Sequence, residues 1–489
     1  MVHRRALMMG FRCLLATALL LGALGMGAPS LADPPAGWMI DALDPHPDSH
    51  VETIVVQPDG KILMGGFFGM VGDVSLPRLA RLNPDGSLDD AFDPPAPQDR
   101  VRALALDGDG RIIVAAKITD ADYIARLHQD GSLDDTFAPG ADDIVFALAM
   151  QPDGKIVVGG RFTTIGGLAR THVARLHPDG TPDESFNAVL DGEVYAVVLQ
   201  PDGKLLIGGP FDTVNGVARS GLARLHPDGT LDETLAVDAD GPVFVVGLHP
   251  NGHILLGGSF GSVNGEPRRH FARLSPQGAV DDLDPGFGLT GQVHAIVSDA
   301  DGRIILGGLF SWLPVGATDH LANLAIIDTD GDLVADPTLH VNGFVIALAL
   351  QADGSLLIGG QFSEIGRQAQ RWCMGRLTNP TRAVQSLTYD AAPRSATWHR
   401  SGASPEVWRA TLELSTDGVT YTSLGEGVRV DRGWAWEDLA LPPGQDLWLR
   451  ARGYHTTGGR NASISVVETI AELPAGPVLV LHHLPIALR

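Results

Sequence analysis

The stretch VFALAMQPDGKIVVGGRF, residues 145–162, combines charged residues and glycines in a pattern that could bind a phosphate group or a cation. Lys155 could contact a phosphate, glycines could let the backbone approach it, and the Asp153 carboxylate suits a cation. The same pattern also fits a β-hairpin, because Pro-Asp-Gly is a tight-turn sequence between two apolar runs. The number of copies in the chain separates the two alternatives.

The stretch is one of seven copies. The Asp or Asn before the turn glycine recurs at intervals of 44 to 52 residues, at Asp59, Asp109, Asp153, Asp202, Asn251, Asp301 and Asp353. Gly-Gly-x-Phe follows in six copies, and Ala115–Ala116 replaces the glycines in the second. Seven copies in register indicate architecture rather than a binding loop.

Each copy also carries a second turn, as in VARLHPDGTPDESF at residues 173–186. Two hairpins per copy predict four short strands in a repeat of about 49 residues. Seven such repeats are typical of a β-propeller. We therefore predict an all-β chain, with a seven-bladed propeller over residues 33–380.

The repeats hold a second regular pair of charges. An Arg precedes an Asp by eight residues at Arg81/Asp89, Arg126/Asp134, Arg175/Asp183, Arg224/Asp232 and Arg273/Asp281. The sixth copy has Ile326 and Val334 at these positions, so both charges are lost together. Loss of one charged side chain alone would leave its partner without a counter-charge. We therefore interpret the set as structural ion pairs across the outer hairpins.

The seventh copy ends after Arg376 without a second turn or an Asp. Near the other end of the chain, IDALDP at residues 40–45 matches VDDLDP at residues 280–285. We predict that an N-terminal strand, about residues 38–46, completes the seventh blade and brings Asp41 to Arg376. Such closure removes an open sheet edge.

Other candidates for chemistry have simpler explanations. Asp328–Asp336, DTDGDLVAD, alternates carboxylates as calcium loops do, but it lacks a terminal glutamate and occupies a repeat turn. His177 and His226 share a repeat position that elsewhere holds Asn83, His128 or Ser275. The sequence has no zinc spacing, G-x-S-x-G elbow or phosphate loop. We predict no metal, no cofactor and no catalytic residues.

The N-terminus and the composition bear on where the protein acts. A basic start, an apolar stretch and Ser30-Leu31-Ala32 predict a signal peptide over residues 1–32, cleaved near Ala32, and secretion to the periplasm or beyond the cell. Cys373 is then the one remaining cysteine, which excludes an internal disulfide. The net charge of −23 argues against nucleic-acid or membrane-surface binding. No later segment reaches the ~18 apolar residues of a membrane span.

QPDGKIVVGGRF, VARLHPDGTPDESF and their copies resemble the delta-60 repeat family of secreted bacterial β-propellers. The resemblance covers about residues 37–380 and implies a binding or surface-associated scaffold, without shared catalytic residues.

From about residue 381 the period disappears and short strands predict a β-sandwich over residues 381–472. LPPGQDLWLRARGYHTTGGRNASIS resembles the end of a fibronectin type III domain, with Trp398 as core tryptophan and Trp448 replacing the usual tyrosine. Residues 473–489 form a tail.

Strand direction places both sets of Pro-Asp-Gly turns on one face of the propeller and the more variable connections on the other. Functional residues are often carried by variable loops on a rigid scaffold. Candidate ligand-binding residues in these connections are Arg170, Arg219, Arg268, Trp312, Arg371 and Trp372. The alternative is that the arginines cap loop carbonyls or pair with acidic groups.

We therefore expect a monomeric, non-enzymatic binding or adhesion scaffold whose partner is an extracellular protein or a glycan. The alternative is a secreted propeller enzyme, a hydrolase or lyase acting on glycans, for which carboxylates or histidines should converge at the mouth of the central channel. A third hypothesis is a calcium-stabilised scaffold. A propeller fold by itself does not separate these classes.

Overall fold

A computed structural model describes residues 37–118, 122–283, 290–312, 321–367, 369–459 and 463–474. The predicted signal peptide lies outside these residues, as do most of the predicted tail, residues 313–320 of one variable connection and Asn461 of a glycosylation sequon.

In the repeat region the strands are β1 (Met39–Ile40), β2 (Val51–Val56), β3 (Ile62–Gly66), β4 (Met70–Val71), β5 (Val74–Ser75), β6 (Leu79–Leu82), β7 (Ala103–Leu106), β8 (Ile112–Ala115), β9 (Ala125–Leu127), β10 (Val145–Met150), β11 (Ile156–Gly160), β12 (Thr164–Ile165), β13 (Leu168–Ala169), β14 (Val173–Leu176), β15 (Ala196–Leu199), β16 (Leu205–Gly208), β17 (Thr213–Val214), β18 (Val217–Ala218), β19 (Leu222–Leu225), β20 (Val243–Leu248), β21 (Ile254–Gly258), β22 (Ser262–Val263), β23 (Glu266–Pro267), β24 (Phe271–Leu274), β25 (Thr290–Ser298), β26 (Ile304–Trp312), β27 (Leu321–Ile327), β28 (Phe344–Leu350), β29 (Leu356–Gln361), β30 (Glu364–Ile365), β31 (Ala369–Gln370) and β32 (Met374–Thr378). A short 3-10 helix spans Pro337–Leu339. The C-terminal strands are β33 (Ala383–Asp390), β34 (Ser395–Gly402), β35 (Arg409–Ser415), β36 (Thr422–Glu426), β37 (Val428–Val430), β38 (Gly433–Trp436), β39 (Leu447–Gly459) and β40 (Ser463–Leu473).

Within the described residues, the main strands of each repeat form a group of three antiparallel strands, which we call a unit. The units are β2–β3–β6, β7–β8–β9, β10–β11–β14, β15–β16–β19, β20–β21–β24, β25–β26–β27 and β28–β29–β32. The first strands of successive units contact one another in chain order, and β28 contacts β2, so these strands surround a central channel. Most strand residues are buried on both sides of the sheet because each unit packs between two others.

The predicted fourth strand is shorter than expected. The outer segment of a unit makes a single bridge, as between Leu176 and Pro182 in the third. The reason is local, since the Asp183 carboxylate accepts the Ser185 amide and the chain turns away from the ladder. Five of the connections after Gly-Gly-x-Phe are also more regular than expected, since they fold into the small hairpins β4–β5, β12–β13, β17–β18, β22–β23 and β30–β31.

The glycine pair permits two close approaches in each of the six units that have it. A Cβ on Gly159 would lie 2.6 Å from Cγ1 of Val194 in the next unit, and a Cβ on Gly160 would lie 2.2 Å from the carbonyl oxygen of Ile144. The first glycine therefore serves packing between units, and the second serves packing within the unit. A Cβ on Gly359 would lie 2.9 Å from Val51 Cγ1, so the last unit meets the first through the same contact.

The N-terminal strand adds to the last unit. β1 pairs antiparallel with β32, with Met39 opposite Thr378 and Ile40 opposite Leu377. Arg376 Nε lies 2.5 Å from Asp41 Oδ2. This strand occupies the outer position that a segment after the second turn fills in the other units.

The C-terminal strands form two groups. One is the sheet β33–β34–β38–β37, and the other joins β35 to β36 and β39, with β39 continuing to β40. Apolar side chains of both groups form one core, which includes Trp398, Leu412, Trp434 and Leu449. We call residues 383–473 the C-terminal module.

The long hairpin β39–β40 extends from this module into the central channel. Gly459 and Gly458 pair with Ala347 and Leu348 of β28, and Ile464 pairs in parallel with Ala105 of β7. The Val56 amide donates to Ser465 Oγ at 2.8 Å. The first strands of the repeat units therefore enclose the hairpin.

The module also packs on the face that carries the Pro-Asp-Gly turns, which we call the turn face. The Ala300 amide donates to the Ser404 carbonyl at 2.8 Å, and the Gly402 amide donates to Asp301 Oδ1 at 2.8 Å. Gln385 Nε2 donates to the Ala352 carbonyl at 2.9 Å. The opposite face, with the small hairpins and the connections between units, is the loop face.

Candidate functional site

The Arg and Asp residues identified in the repeats lie within ion-pair distance. The N···O distances are 2.6 Å for Arg81–Asp89, 2.7 Å for Arg126–Asp134, 2.8 Å for Arg175–Asp183, 2.7 Å for Arg224–Asp232, 2.9 Å for Arg273–Asp281 and 2.5 Å for Arg376–Asp41. The turn lysine or histidine joins several of these carboxylates, as Lys155 Nζ does at 3.0 Å from Asp183. Because the charges neutralise one another, these distances favour the interpretation of the set as structural ion pairs.

The same arginines also join neighbouring units. Arg126 Nη1 donates to the Pro178 carbonyl of the next unit at 2.5 Å, and Arg224 Nη1 donates to the Pro276 carbonyl at 2.8 Å. Arg376 Nη1, in the last unit, donates to Pro84 of the first at 3.0 Å. Sequence analysis found the pairs but not these contacts, since nothing in a turn sequence marks its carbonyl as an acceptor.

The arginines of the variable connections donate hydrogen bonds to backbone carbonyl groups. Nη1 of Arg170, Arg219, Arg268 and Arg371 donates to the carbonyl of the preceding residue at 2.7–2.9 Å. Nη2 of Arg268 reaches the Asp281 carbonyl at 2.9 Å, and Nη2 of Arg371 reaches the Asp41 carbonyl at 2.7 Å. These contacts favour the capping alternative, because they direct the guanidinium groups to the chain itself.

The two candidate tryptophans differ. Trp312 is 1% exposed, and its Nε1 donates to the Leu324 carbonyl at 3.3 Å. Its ring therefore belongs to the core, and its assignment to a ligand surface is wrong. Trp372 is 44% exposed, with its ring centroid 6.2 Å from that of His46.

A second set of side chains lies at the mouth of the channel on the loop face. Each follows a valine at the loop-face end of the first strand of its unit, or just before that strand, and the ladder register shifts there in five units. A bulge of this kind reorients its side chain. The residues at this position are Glu52, Arg102, Phe146, Tyr195, Phe244, His294 and Ile346.

The aromatic members form a continuous series. Ring centroids lie 5.1 Å apart for Phe146–Tyr195, 6.0 Å for Tyr195–Phe244 and 4.7 Å for Phe244–His294. Phe344 meets His294 edge-on at 4.5 Å. Phe146, Tyr195 and Phe344 are half-buried, whereas Phe244 and His294 are buried.

Charged groups continue the series at its other end. Arg102 lies 5.4 Å from the Phe146 centroid, and Arg100 lies 5.2 Å from the centroid of Phe67, which is 45% exposed. Arg100 Nη1 also lies 3.0 Å from Glu52 Oε1. Burial lowers the pKa of Arg102, and the charge of Glu52 opposes that change. We call the whole set the channel-mouth arc: Glu52, Phe67, Arg100, Arg102, Phe146, Tyr195, Phe244, His294 and Phe344.

The arc is absent from the residues predicted from the sequence, although the sequence contains a signal for it. In the aligned copies the residue after the first valine changes from acidic to basic, aromatic and aliphatic, while the residues after it stay apolar. Variation at one position of an otherwise regular strand indicates a residue outside the shared core. The bulge that reorients this position has no sequence pattern of its own.

The acidic candidates form turns. Asp328 Oδ1 accepts the amides of Asp330 and Asp332 at 3.0 and 2.9 Å, and Asp336 Oδ2 accepts the Trp38 amide at 3.1 Å. Within the described ranges, no three His, Cys, Asp or Glu side chains are placed to hold one metal ion. The described part of the chain also contains no helix suited to crossing a membrane.

Repeated antiparallel sheets around a central channel define an all-β propeller, as predicted. One comparison, with a family model, agrees with this class. Residues 57–92, 108–137, 151–186, 200–235 and 249–287 match the family model described as a domain of unknown function (DUF5122) beta-propeller. Among curated proteins none matches the chain.

Solved structures with similarity to the chain include two lyases and a WD40 domain. A streptogramin B lyase is 15% identical with a TM-score of 0.47, covering 71% of this chain and 100% of its own. Virginiamycin B lyase from Staphylococcus aureus is 13% identical with a TM-score of 0.48, covering 70% and 99%. The WD40 propeller domain of Doa1 is 13% identical with a TM-score of 0.45, covering 70% and 97%.

Proposed function

We propose that the chain is an exported, non-catalytic binding scaffold that recognises an acidic glycan through the channel-mouth arc. In this proposal seven blades form the propeller, the N-terminal strand closes the ring, and the C-terminal module is a fibronectin type III-like sandwich. The loop face is the binding face.

The position of the β39–β40 hairpin carries this proposal. Its residues pair with β28 and β7 inside the channel, and the module that bears it packs on the turn face. An enzyme that used the channel would need that space for its substrate. With the turn face and the channel both engaged by the chain's own residues, the loop face remains for a partner.

The chemistry of the arc favours a sugar that carries carboxylates. Aromatic faces provide flat apolar contact, as for Phe67, Phe146 and Tyr195, and a few placed polar groups fix orientation in ligand sites of this kind. Arg100 and Arg102 are planar donors suited to a carboxylate. They would be shared between the ligand and the chain's own Glu52, 3.0 Å from Arg100, and Asp99, 3.6 Å from Arg102. Glu52 is paired with Arg100 and buried, which favours a positioning role over general acid catalysis.

Binding by the purified mature protein to an array of acidic and neutral glycans tests the proposal. We expect acidic glycans to bind, and Arg102→Gln and Phe67→Ala each to weaken binding by roughly 10-fold, the effect of about 1.4 kcal/mol. Val428→Ala is the matched control, because Val428 is 70% exposed on the C-terminal module. Equal binding by all variants would exclude the arc as the site.

The same samples also test the enzyme alternative. Each bound glycan is incubated with the wild-type protein, and its products are followed by mass spectrometry. We expect intact glycan after prolonged incubation. Cleavage that is lost in Glu52→Gln or His294→Gln would replace the scaffold proposal with a glycan hydrolase or lyase.

A further inference from the structure

A small cavity lies where the C-terminal module meets the turn face of the propeller. It is lined by Ala300 of a propeller turn and by Arg400, Glu406, Arg429 and Trp434 of the module. The cavity has room for little more than one water-sized particle. It is separate from the channel-mouth arc, which lies on the loop face.

Hydrogen-bond donors outnumber acceptors among the groups that line this cavity. Arg400 is 3% exposed, and its Nη2 donates to the Pro405 carbonyl at 2.8 Å. Among the described residues, no acceptor bonds its Nε or Nη1, and none bonds the buried Nε1 of Trp434. None of these three atoms can accept a hydrogen bond, so the group that satisfies them must be an acceptor.

Charge points in the same direction. Arg429 Nη1 lies 2.8 Å from Glu406 Oε1, and Arg429 Nη2 donates to Glu406 Oε2 at 3.2 Å. The Glu406 carboxylate is therefore paired with Arg429, and it acts on Arg400 only as a nearby charge. Burial lowers the pKa of Arg400 to about 9, with the charge of Glu406 opposing it, so Arg400 remains a cation at neutral pH. A buried cation without a counter-charge is strongly destabilising.

We infer that this cavity binds a small monovalent anion, which is chloride in ordinary saline. A spherical anion accepts hydrogen bonds from several directions and supplies the missing negative charge, whereas a water molecule accepts hydrogen bonds but brings no net charge. The bound ion contacts Arg400 and Trp434 at the interface between the C-terminal module and the propeller turn. It therefore stabilises the docking of the C-terminal module.

Thermal unfolding of the mature protein at constant ionic strength tests the inference, with bromide or chloride replacing gluconate. We expect a saturable rise in Tm of roughly 2 °C, since a ligand of the folded state stabilises it. Arg400→Met should lose the halide response and should melt no lower than the wild type in gluconate, because a buried charge has been replaced by an apolar group.

Arg409→Met is the matched control, because Arg409 pairs with Glu426 at 2.9 Å elsewhere in the same module. It should keep the full halide response. An equal response in wild type and Arg400→Met would mean a general salt effect and would overturn the inference.

Anomalous diffraction from wild-type crystals grown in bromide gives a test without any variant. We expect a peak within hydrogen-bond distance of Arg400 Nη1. A cavity without that peak, together with no halide-specific change in Tm, would mean that water alone fills it and would also overturn the inference.

Discussion

At the scale of single residues, the repeated Asp side chains are held as anions by their neighbours. A hydrogen bond from Thr136 is the largest influence on Asp134 and, with the hydrogen bond from Arg126, lowers its pKa to about 2. Burial raises the pKa of Asp183, but hydrogen bonds from Ser185 and Lys155 and the charge of Arg175 outweigh it, so the net shift is downward. Each such group favours the folded state while it is ionised.

These pairs predict a specific acid sensitivity. The pKa of Asp134 is about 2 when folded and ~3.9 when unfolded. Its contribution is present above the unfolded pKa and is lost as pH falls towards the folded value. Thermal unfolding from pH 6 to pH 2 should therefore show a smaller acid loss for the Arg126→Met, Asp134→Asn double variant than for the wild type.

The single variants provide the control for this prediction. Asp134→Asn alone leaves Arg126 buried without its counter-charge, and we expect a loss of about 3 kcal/mol at pH 7. A double variant with the same acid profile as the wild type would contradict the assignment of this pair.

At the scale of elements, β1 is a short strand whose loss we expect to lower the stability of the fold considerably. It has two residues, yet it supplies the outer edge of the last unit, and Asp41 supplies the partner of Arg376. Removing residues 33–47 should lower Tm by at least about 5 °C, because an edge opens and an ion pair is lost. Asp41→Asn should give part of this loss in the full-length protein.

Asp73→Asn serves as the control for Asp41→Asn, since Asp73 is exposed in a small hairpin of the first unit. Differential scanning calorimetry measures all three proteins. An unchanged Tm after removal of residues 33–47 would show that the ring is closed by other contacts.

The elements also show what the sequence could predict. Repetition made the turns, glycine pairs and Arg/Asp positions visible, because each occurs in several copies that can be aligned. Trp312 was misassigned because its connection has no such copies, and its burial depends on tertiary packing. The insertion of β39–β40 could not be predicted, since Gly459 and Ala347 are distant in sequence and neither lies in a pairing motif.

At the scale of the whole molecule, the propeller has two unlike faces. The turn face carries the C-terminal module, whose hairpin occupies the channel. The loop face carries the channel-mouth arc, in which Phe67 is 45% exposed beside Arg100. Binding on the loop face is therefore the central claim.

Hydrogen exchange of the mature protein, with and without a glycan selected on the array, tests that claim most directly. The account predicts slower exchange on binding in residues 66–78, 99–102 and 144–146, at the loop-face ends of neighbouring units. Slower exchange confined to the Pro-Asp-Gly turns at residues 57–61 and 151–155, or to residues 383–473, would contradict it.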